Sequence, residues 1–345
     1  MSGRVAGSVE DGWALLRALP ELRLAGVVDG RPVVRTLHHA VHDGRIWLHA
    51  PPRSTLAALA GTPVQLVGDA IVARIPSWMR DPERACPATT FYRSVIVDGV
   101  LEPVTSPDDR AAALQQMMRD RQPEGGHVPI DAAHPLYAAP VRGLGIWAVR
   151  PTAVSAAAKL GTNLSAAEIG RIAAGLWQRG GDGDLAAIDV LADTHPSAPC
   201  PVPLPAGLRL RLHPDDALAA AAGDLVHHEY WNGGQPRDQL AAAVRHSAAW
   251  IGLQRDGALI ATARAVSDRT KRCWLYDVAV HPDHRGGGVG SALIAALLDH
   301  PAVRGAEVSL GTRDAQPFYA RFGFASAITE DRGAWQTTWM RRPRH

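Results

Sequence analysis

The chain has little with which to crosslink itself or hold a structural metal. Three cysteines, Cys86, Cys200 and Cys273, are spread over 345 residues without a Cys-x-x-Cys spacing, which argues against a disulfide framework and a cysteine-based zinc site. No apolar run reaches the roughly eighteen residues that a membrane-spanning helix needs. The opening Met1-Ser-Gly-Arg-Val-Ala-Gly-Ser8 lacks the apolar core of a secretory leader. Excess charge is scarce as well: the formal net charge is +2, too small for a dedicated nucleic-acid binder. The one basic cluster, Arg341-Arg342-Pro-Arg344, reads as a solvated end. The expectation is a soluble cytoplasmic protein with neither nucleic acid nor membrane as partner.

The length predicts two domains, each able to bury a core. Prolines at 196, 199, 201, 203 and 205 forbid helix and ladder alike and favour a stiff extended connection. The expected organisation is therefore a first domain over 1–195, a proline-rich linker over 196–205 and a second domain over 206–345. Upstream, short alternating runs at 22–28, 33–41, 45–49, 64–75 and 92–100 are punctuated by Asp29-Gly30, Asp43-Gly44 and Asp98-Gly99, which predicts hairpins in an antiparallel barrel or sandwich. Helical stretches are expected at 13–19, 54–60, 106–119 and 165–179. Downstream, 208–212 reads as a strand, 214–231 and 237–248 as helices, and 249–253, 258–266 and 273–280 as strands.

The most informative stretch is His281-Pro-Asp-His-Arg-Gly-Gly-Gly-Val-Gly-Ser291, between the apolar run 274–280 and a helical pattern. A strand that feeds a helix through glycines leaves the first helical N–H groups pointing outward, where an anion is favoured. Glycine lets phosphate oxygens come close, and Arg285 adds a charge-assisted donor. A P-loop would need Lys-Ser/Thr after its last glycine, whereas Gly290 precedes Ser291-Ala292. A dinucleotide fold would need an early βαβ unit with an acid at its second strand, which Glu307 matches poorly. The spacing Arg-x-x-Gly-x-Gly over 285–290 resembles the acetyl-coenzyme A signature of the GNAT superfamily of N-acetyltransferases. The strand-like 303–310 and Thr312-Arg-Asp-Ala-Gln-Pro-Phe-Tyr-Ala-Arg-Phe-Gly-Phe324, with its Tyr-x-x-x-Gly-Phe ending, extend that resemblance over 206–340.

The resemblance implies an α+β GNAT fold that binds acetyl-CoA and acetylates a small amine. Val278, Ala279 and Val280 would hold the pantetheine chain, and Arg285, Gly286, Gly287, Gly288, Val289, Gly290 and Ser291 the diphosphate. Tyr319 stands where many family members carry the acid that protonates the departing thiolate, or else it is an aromatic packed beside Phe318 and Phe322. Asp277 is the candidate base, with a satisfied strand carboxylate or an ordered water as alternatives. His227, His228 and Glu229 precede the segment that often builds the acceptor pocket, although adjacent helical histidines cannot both face one site.

In the first half, Asp29-Gly-Arg-Pro-Val-Val-Arg-Thr36, Gly44-Arg-Ile-Trp-Leu-His-Ala50 and Thr90-Phe-Tyr-Arg-Ser-Val-Ile-Val-Asp-Gly99 resemble the split-barrel superfamily of pyridoxamine 5'-phosphate oxidase. Ile75-Pro-Ser-Trp78 and Lys159-Leu-Gly-Thr-Asn163 are similar to its FMN-binding negative transcriptional regulators, whose relatives include haem-dependent piperazate synthases. This implies an antiparallel split β-barrel of the FMN-binding type over about 10–193. Arg35, Thr36, Arg53, Ser54 and Lys159 are candidate FMN contacts, because a phosphate needs cationic and hydroxyl donors together. The lysine expected after the His49 segment is replaced by hydroxyl residues, and the regulator-type Lys-Leu-x-Gln-Asn reads Lys-Leu-Gly-Thr-Asn. His49 is the metal ligand if the barrel takes haem b instead, with His38 and His39 near it, and an empty or repurposed barrel stays open. Cys86 reads as a buried, inert thiol.

The sequence thus points to a bifunctional enzyme: an oxidoreductase-like split barrel followed by an N-acetyltransferase. The alternatives are a haem-dependent N–N bond-forming domain fused to the acetyltransferase, or a non-catalytic sensor. Split-barrel relatives complete their flavin site across a two-fold axis, so a homodimer through the first domain is expected.

Overall fold

The computed structural model describes residues 3–331, 333 and 336–344. The chain forms two compact units, Met1–Arg74 with Thr90–Asn163, and Ile75–Thr89 with Leu164–His345.

The first unit carries eight strands: β1 (Arg4–Gly7), β2 (Leu22–Val28), β3 (Arg31–Leu37), β4 (His39–His42), β5 (Arg45–Ala50), β6 (Pro63–Ile75), β7 (Thr89–Pro103) and β8 (Gly145–Lys159). Their order is β3-β2-β6-β7-β8-β5-β4, with β1 also on β8. The two ends of this order, β3 and β4, are separated in sequence by His38 alone, so the sheet curls round on itself without a ladder joining them: an unclosed, split barrel. Its interior is filled by Leu22, Leu24, Ile46, Leu48, Val95 and Val97, all at most 1% exposed. Their alternation along the strands is the period-two pattern of one buried face.

Two of the three Asp-Gly pairs make the expected hairpins. Asp29 and Gly30, like Asp43 and Gly44, both have positive φ, as a two-residue type I′ turn requires. Asp98-Gly99 does not turn. It lies inside β7, where the register with β8 shifts by a bulge, and a Cβ on Gly99 would come within 2.4 Å of the Arg150 carbonyl oxygen. The glycine there marks a close approach of two backbones. The expected single strand over 33–41 also breaks in two at His38. The long β8 escapes sequence reading because its Ser-Ala-Ala-Ala stretch has poor strand propensity. Pairing with β7, β5 and β1 overrides that preference.

The second unit holds β9 (Arg209–Arg211), β10 (Ala249–Arg255), β11 (Ala258–Ser267), β12 (Arg272–Val280), β13 (Glu307–Thr312), β14 (Ala325–Asp331) and β15 (Gln336–Arg342). The sheet order is β14-β15-β13-β12-β11-β10-β9, and β12–β13 is its parallel pair. Helices Asp216–His227 and Arg237–Arg245 precede β10, and Val289–Asp299 joins β12 to β13, so the order expected from 208 to 312 is the order found. The arginine-rich end is exposed at Arg341 and Arg344, as expected, but part of it is strand. Arg341 and Arg342 belong to β15 and pair with Ser309 and Val308.

The units part at residue 163, not at the prolines. Helices Ala166–Arg179 and Asp184–Thr194 belong to the second unit. Trp177 Nε1 donates to Asp299 at 2.7 Å, and the buried Asp189 carboxylate accepts from the backbone N–H groups of Leu212 and His213. The proline-rich stretch lies against this assembly, with Val202 buried and Pro199 close enough to Gly170 to leave no room for a Cβ. An apolar helical face needs a surface to cover it, and these helices find theirs within the second unit.

Candidate functional site

The site in the second unit begins with a parallel pair that separates. β12 and β13 pair only at Arg272/Glu307, Cys273/Val308 and Trp274/Ser309. Beyond these the two strands pair only with their other neighbours, leaving a wedge lined by backbone groups of Leu275–Val280 on one side and Leu310–Thr312 on the other. A bulge deepens it. Between Arg264/Tyr276 and Thr262/Ala279, β12 carries one residue more than β11, and Asp277 takes φ of 51° to accommodate it. Aspartate tolerates this left-handed conformation better than most residues.

The strand then runs through His281 into the glycine turn. Gly286, Gly287 and Gly288 follow with φ of 85°, 55° and 81°, three consecutive left-handed residues that side chains would strain. Gly288 is the N-cap of the helix Val289–Asp299. Space is open around the turn: a Cβ at Gly286 or Gly287 would meet nothing within 4 Å. Arg285 reaches back to donate from Nε to the Val280 carbonyl at 3.1 Å, and its Nη2 lies 3.8 Å from Glu229. Val278, Ala279 and Val280, Arg285, the glycines, Val289 and Ser291 are thus one continuous stretch of strand end, turn and helix start. An anion placed there meets unpaired N–H groups at the positive end of the helix.

Beside the wedge opens a cleft of about 540 Å³, which brings together Tyr319, Asp277, Val278, Tyr230, Trp231 and Trp274. Tyr319, on the short helix Gln316–Ala320, is 8% exposed, packs edge-on against Phe318 and Phe324, and has its phenol pushed well above the ordinary range by burial. It therefore stays protonated and able to donate. Asp277 reaches the cleft with its carboxylate already partnered. Arg264 Nε donates to it at 2.5 Å and Trp231 Nε1 at 3.2 Å, and its side chain is 5% exposed. Both carboxylate oxygens are thus engaged, one by the guanidinium and one by the indole, at the bulge that Asp277 occupies. The segment Tyr230-Trp231-Asn232, which the resemblance implies for an acceptor pocket, lines this cleft, and Trp274 and Trp339, which carry no sequence signal for it, join it only through the fold. His227 bonds the Gln235 carbonyl instead, at 3.2 Å.

In the first unit, Arg35 and Thr36 end β3 and lead into β4, whose His39 pairs with Leu48 next to His49. Ser54 is the N-cap residue of the short helix Thr55–Leu59 after β5. Arg35 and Thr36 pair with Leu24 and Arg23 on β2, whereas His49 pairs with Ile146 on β8 and Arg53 and Ser54 follow β5. The Ser54 Oγ is buried without a hydrogen-bond partner, and Arg35 and Arg53 are exposed, a donor set that suits a phosphate. Burial, and the nearby His38, push the His49 imidazole down, keeping it in the neutral form that ligates metals. Lys159 is elsewhere: it ends β8, whereas His49 pairs with Ile146 near its start, a separation of about 43 Å along an extended strand. Cys86 is exposed, contrary to its expected burial. Among the described residues no group of three or more His, Cys, Asp or Glu side chains is placed to hold a metal ion, and no helix is long and apolar enough to cross a membrane.

Comparison with known proteins follows the same division. A family described as pyridoxamine 5'-phosphate oxidase matches residues 8–158, and the acetyltransferase (GNAT) family matches residues 218–324. The uncharacterized N-acetyltransferase ycf52 of Porphyra purpurea is 34% identical over 98 residues, which cover 26% of this chain and 55% of the relative. The chain thus spans about half the length of this curated relative. Among solved structures, a protein of Xanthomonas campestris pv. campestris assigned to the GNAT acetyltransferases is 33% identical, with 35% of this chain and 87% of that one covered and a TM-score of 0.32. An FAD and haem binding protein of Mycobacterium smegmatis is 18% identical, with 46% and 74% covered and a TM-score of 0.37.

Proposed function

From a chain that joins a pyridoxamine 5'-phosphate oxidase-like domain to a GNAT acetyltransferase domain, we propose a bifunctional enzyme whose second unit transfers an acetyl group from acetyl-CoA to a small amine. The observation that carries this reading is the separation of β12 from β13 immediately before three left-handed glycines at a helix start. The wedge suits an extended pantetheine arm, and the turn suits the diphosphate at its end. The thioester would then lie beside the cleft that holds Tyr319. Attack of a neutral amine on the thioester carbonyl forms the amide and breaks the C–S bond. The Tyr319 phenol protonates the departing thiolate, and water carries off the amine's proton. Asp277 and Arg264 hold the bulge that shapes the wedge. Positioning of the two reactants contributes alongside this proton transfer.

The test is thiol release from acetyl-CoA by the full chain across a panel of primary amines. Amine-dependent release that disappears in Gly288→Glu supports the reading, and failure of the wild type to bind acetyl-CoA at all in calorimetry overturns it.

For the first unit, the proposal is FMN, with Arg35, Thr36, Arg53 and Ser54 at its phosphate and Lys159 supplied by a second protomer. This is why a homodimer through the barrel is part of the proposal, and light scattering with and without flavin checks it. Bound flavin would supply hydride or electron transfer, and the residues named here bind and orient it. The neutral His49 favours one second reading, haem b with His49 as ligand. The visible spectrum of the purified chain separates the two: flavin bands or a Soret band. A cytoplasmic location belongs to the same proposal.

A further inference from the structure

At the other end of the helix Val289–Asp299 from the glycine turn, about 17 Å away along its axis, the second unit contains a cavity of about 550 Å³ that the acetyl-transfer reading does not use. That volume is within the roughly 300–1,000 Å³ of small-molecule sites. Its walls come from two sources: the turn after the helix Ala166–Arg179, and the GNAT elements around Ala249 and Pro301. The junction is tight. Gly180 has φ of 58°, and a Cβ on it would come within 2.3 Å of Pro301 Cβ, so only glycine lets the turn seat there.

The lining is cationic. Arg179, Arg245, Arg269 and Arg304 face it together with His213 and His300, and Asp182 is the one acidic side chain among the described lining residues. Arg179 is matched by Asp184, buried beside it at 2.5 Å. The others are not neutralised in this way. Arg304 donates to the Gln178 backbone carbonyl and to no carboxylate among the described residues. Arg245 meets Asp216 at 3.4 Å, but that carboxylate is 95% exposed, and such pairs are weak. The Arg269 side chain has no acidic partner among the described residues, and its backbone is left-handed, with φ of 65°.

His300, in the same wall and packed edge-on against Trp177, is an independent observation. It is 1% exposed. Its Nδ1 accepts from the Ala302 backbone N–H at 3.1 Å, which puts the ring proton on Nε2, and that buried Nε2 has no hydrogen-bond partner. Leaving a buried donor unpaired is costly. Burial, together with the positive charge of Arg269 and Arg304, pushes the imidazole down to about 4, so the ring stays neutral beside these guanidinium groups.

We propose that this cavity is a second ligand site, which takes a small organic anion bearing phosphate or carboxylate groups on Arg269, Arg304 and Arg245. Guanidinium groups pair with both kinds of oxyanion through two parallel N–H bonds. The cavity also touches the acceptor cleft through one line of polar contacts. Ser247, in its wall, lies 3.5 Å from Arg264 Nη1, whose Nε holds Asp277.

Calorimetric titration of the full chain, saturated with coenzyme A to fill the diphosphate turn, with pyrophosphate and separately with citrate is the test. Saturable one-to-one binding of either probe is expected, weakened by about tenfold or more in the Arg269→Gln/Arg304→Gln double variant with coenzyme A affinity unchanged. Binding of pyrophosphate alone identifies a phosphate ligand, and of citrate alone a carboxylate ligand. No saturable binding of either probe up to about 1 mM, or equal affinity in the double variant, overturns the site. If the double variant does not fold, Arg245→Gln at the rim replaces it, and unchanged affinity there also overturns the proposal.

Discussion

The two units place their candidate sites in opposite ways. In the second, the residues that would hold the acetyl-CoA pantetheine and diphosphate are neighbours in sequence, from Val278 through Ser291, and one strand–turn–helix passage positions them all. In the first, Arg35, His49 and Ser54 come from separate elements, and Lys159 lies at the far end of the longest ladder. A contiguous site depends on one backbone conformation and can be destroyed by one residue. A dispersed site is a sum of moderate contacts and should weaken by steps.

The largest expected effect tests the contiguous site. Gly288→Glu places a side chain at φ of 81° and a carboxylate where the diphosphate would lie. Strain of about 1–2 kcal/mol destabilises the free and bound protein alike, whereas bulk and like-charge repulsion act on binding, so acetyl-CoA affinity should fall by about a hundredfold or more. Calorimetry on the folded variant measures it. Affinity within a few-fold of wild type would place the diphosphate elsewhere.

Next comes Tyr319→Phe, which keeps the packing against Phe318 and Phe324 and removes the proton. A general acid contributes about 10²–10⁴-fold, so kcat should drop by at least about a hundredfold with little change in acetyl-CoA affinity. Because burial raises this phenol above its ordinary value of 10.0, its protonated form persists as pH rises. The wild-type rate should therefore show no alkaline loss from this group through pH 10.0. A wild-type kcat in the variant would make Tyr319 a packing residue.

A smaller effect is expected from Asp277→Asn. The amide keeps the shape but only one acceptor, whereas the carboxylate takes Arg264 Nε and Trp231 Nε1 on separate oxygens, so if Asp277 fixes the bulge the melting temperature should drop while kcat falls by about tenfold or less. Loss of a general base would reach the range of about 10²–10⁴-fold. Steady-state kinetics on one amine therefore separates the two roles.

The same contrast explains what could be read before the fold was known. Gly286, Gly287 and Gly288 were legible because an anion cradle at a helix start is local chemistry, and Asp29-Gly30 and Asp43-Gly44 because a type I′ turn is local too. Asp98-Gly99 misled, since a bulge and a turn both call for a residue pair of this kind and only the partner strand decides between them. The helix expected over 165–179 packs within the second unit, which was not legible for a similar reason: its sequence shows an apolar face but not which surface covers it, and the helix Asp184–Thr194 beside it carried no signal that was read. The cavity around Arg269 and Arg304 depends on that docking and left no sequence signal.

The smallest effects are expected where the site is dispersed, and their signs carry the test. Arg53→Gln removes one exposed cation and should weaken flavin binding by about three- to tenfold without altering the flavin-free protein, as for a single charge-assisted contact near water. Ser54→Ala should act on both states, in opposite directions. The Ser54 Oγ is buried without a partner, so removing it relieves an unsatisfied hydroxyl, and the flavin-free melting temperature should hold or rise slightly. With flavin bound, the same change removes a donor to the phosphate and should weaken binding several-fold. Thermal melts and flavin titrations of both variants and their double form the check, and the two losses should multiply approximately if the contacts are independent. A Ser54→Ala protein that melts lower without flavin, yet binds it as tightly as wild type, would show that this hydroxyl serves the fold and that the phosphate lies elsewhere in the barrel.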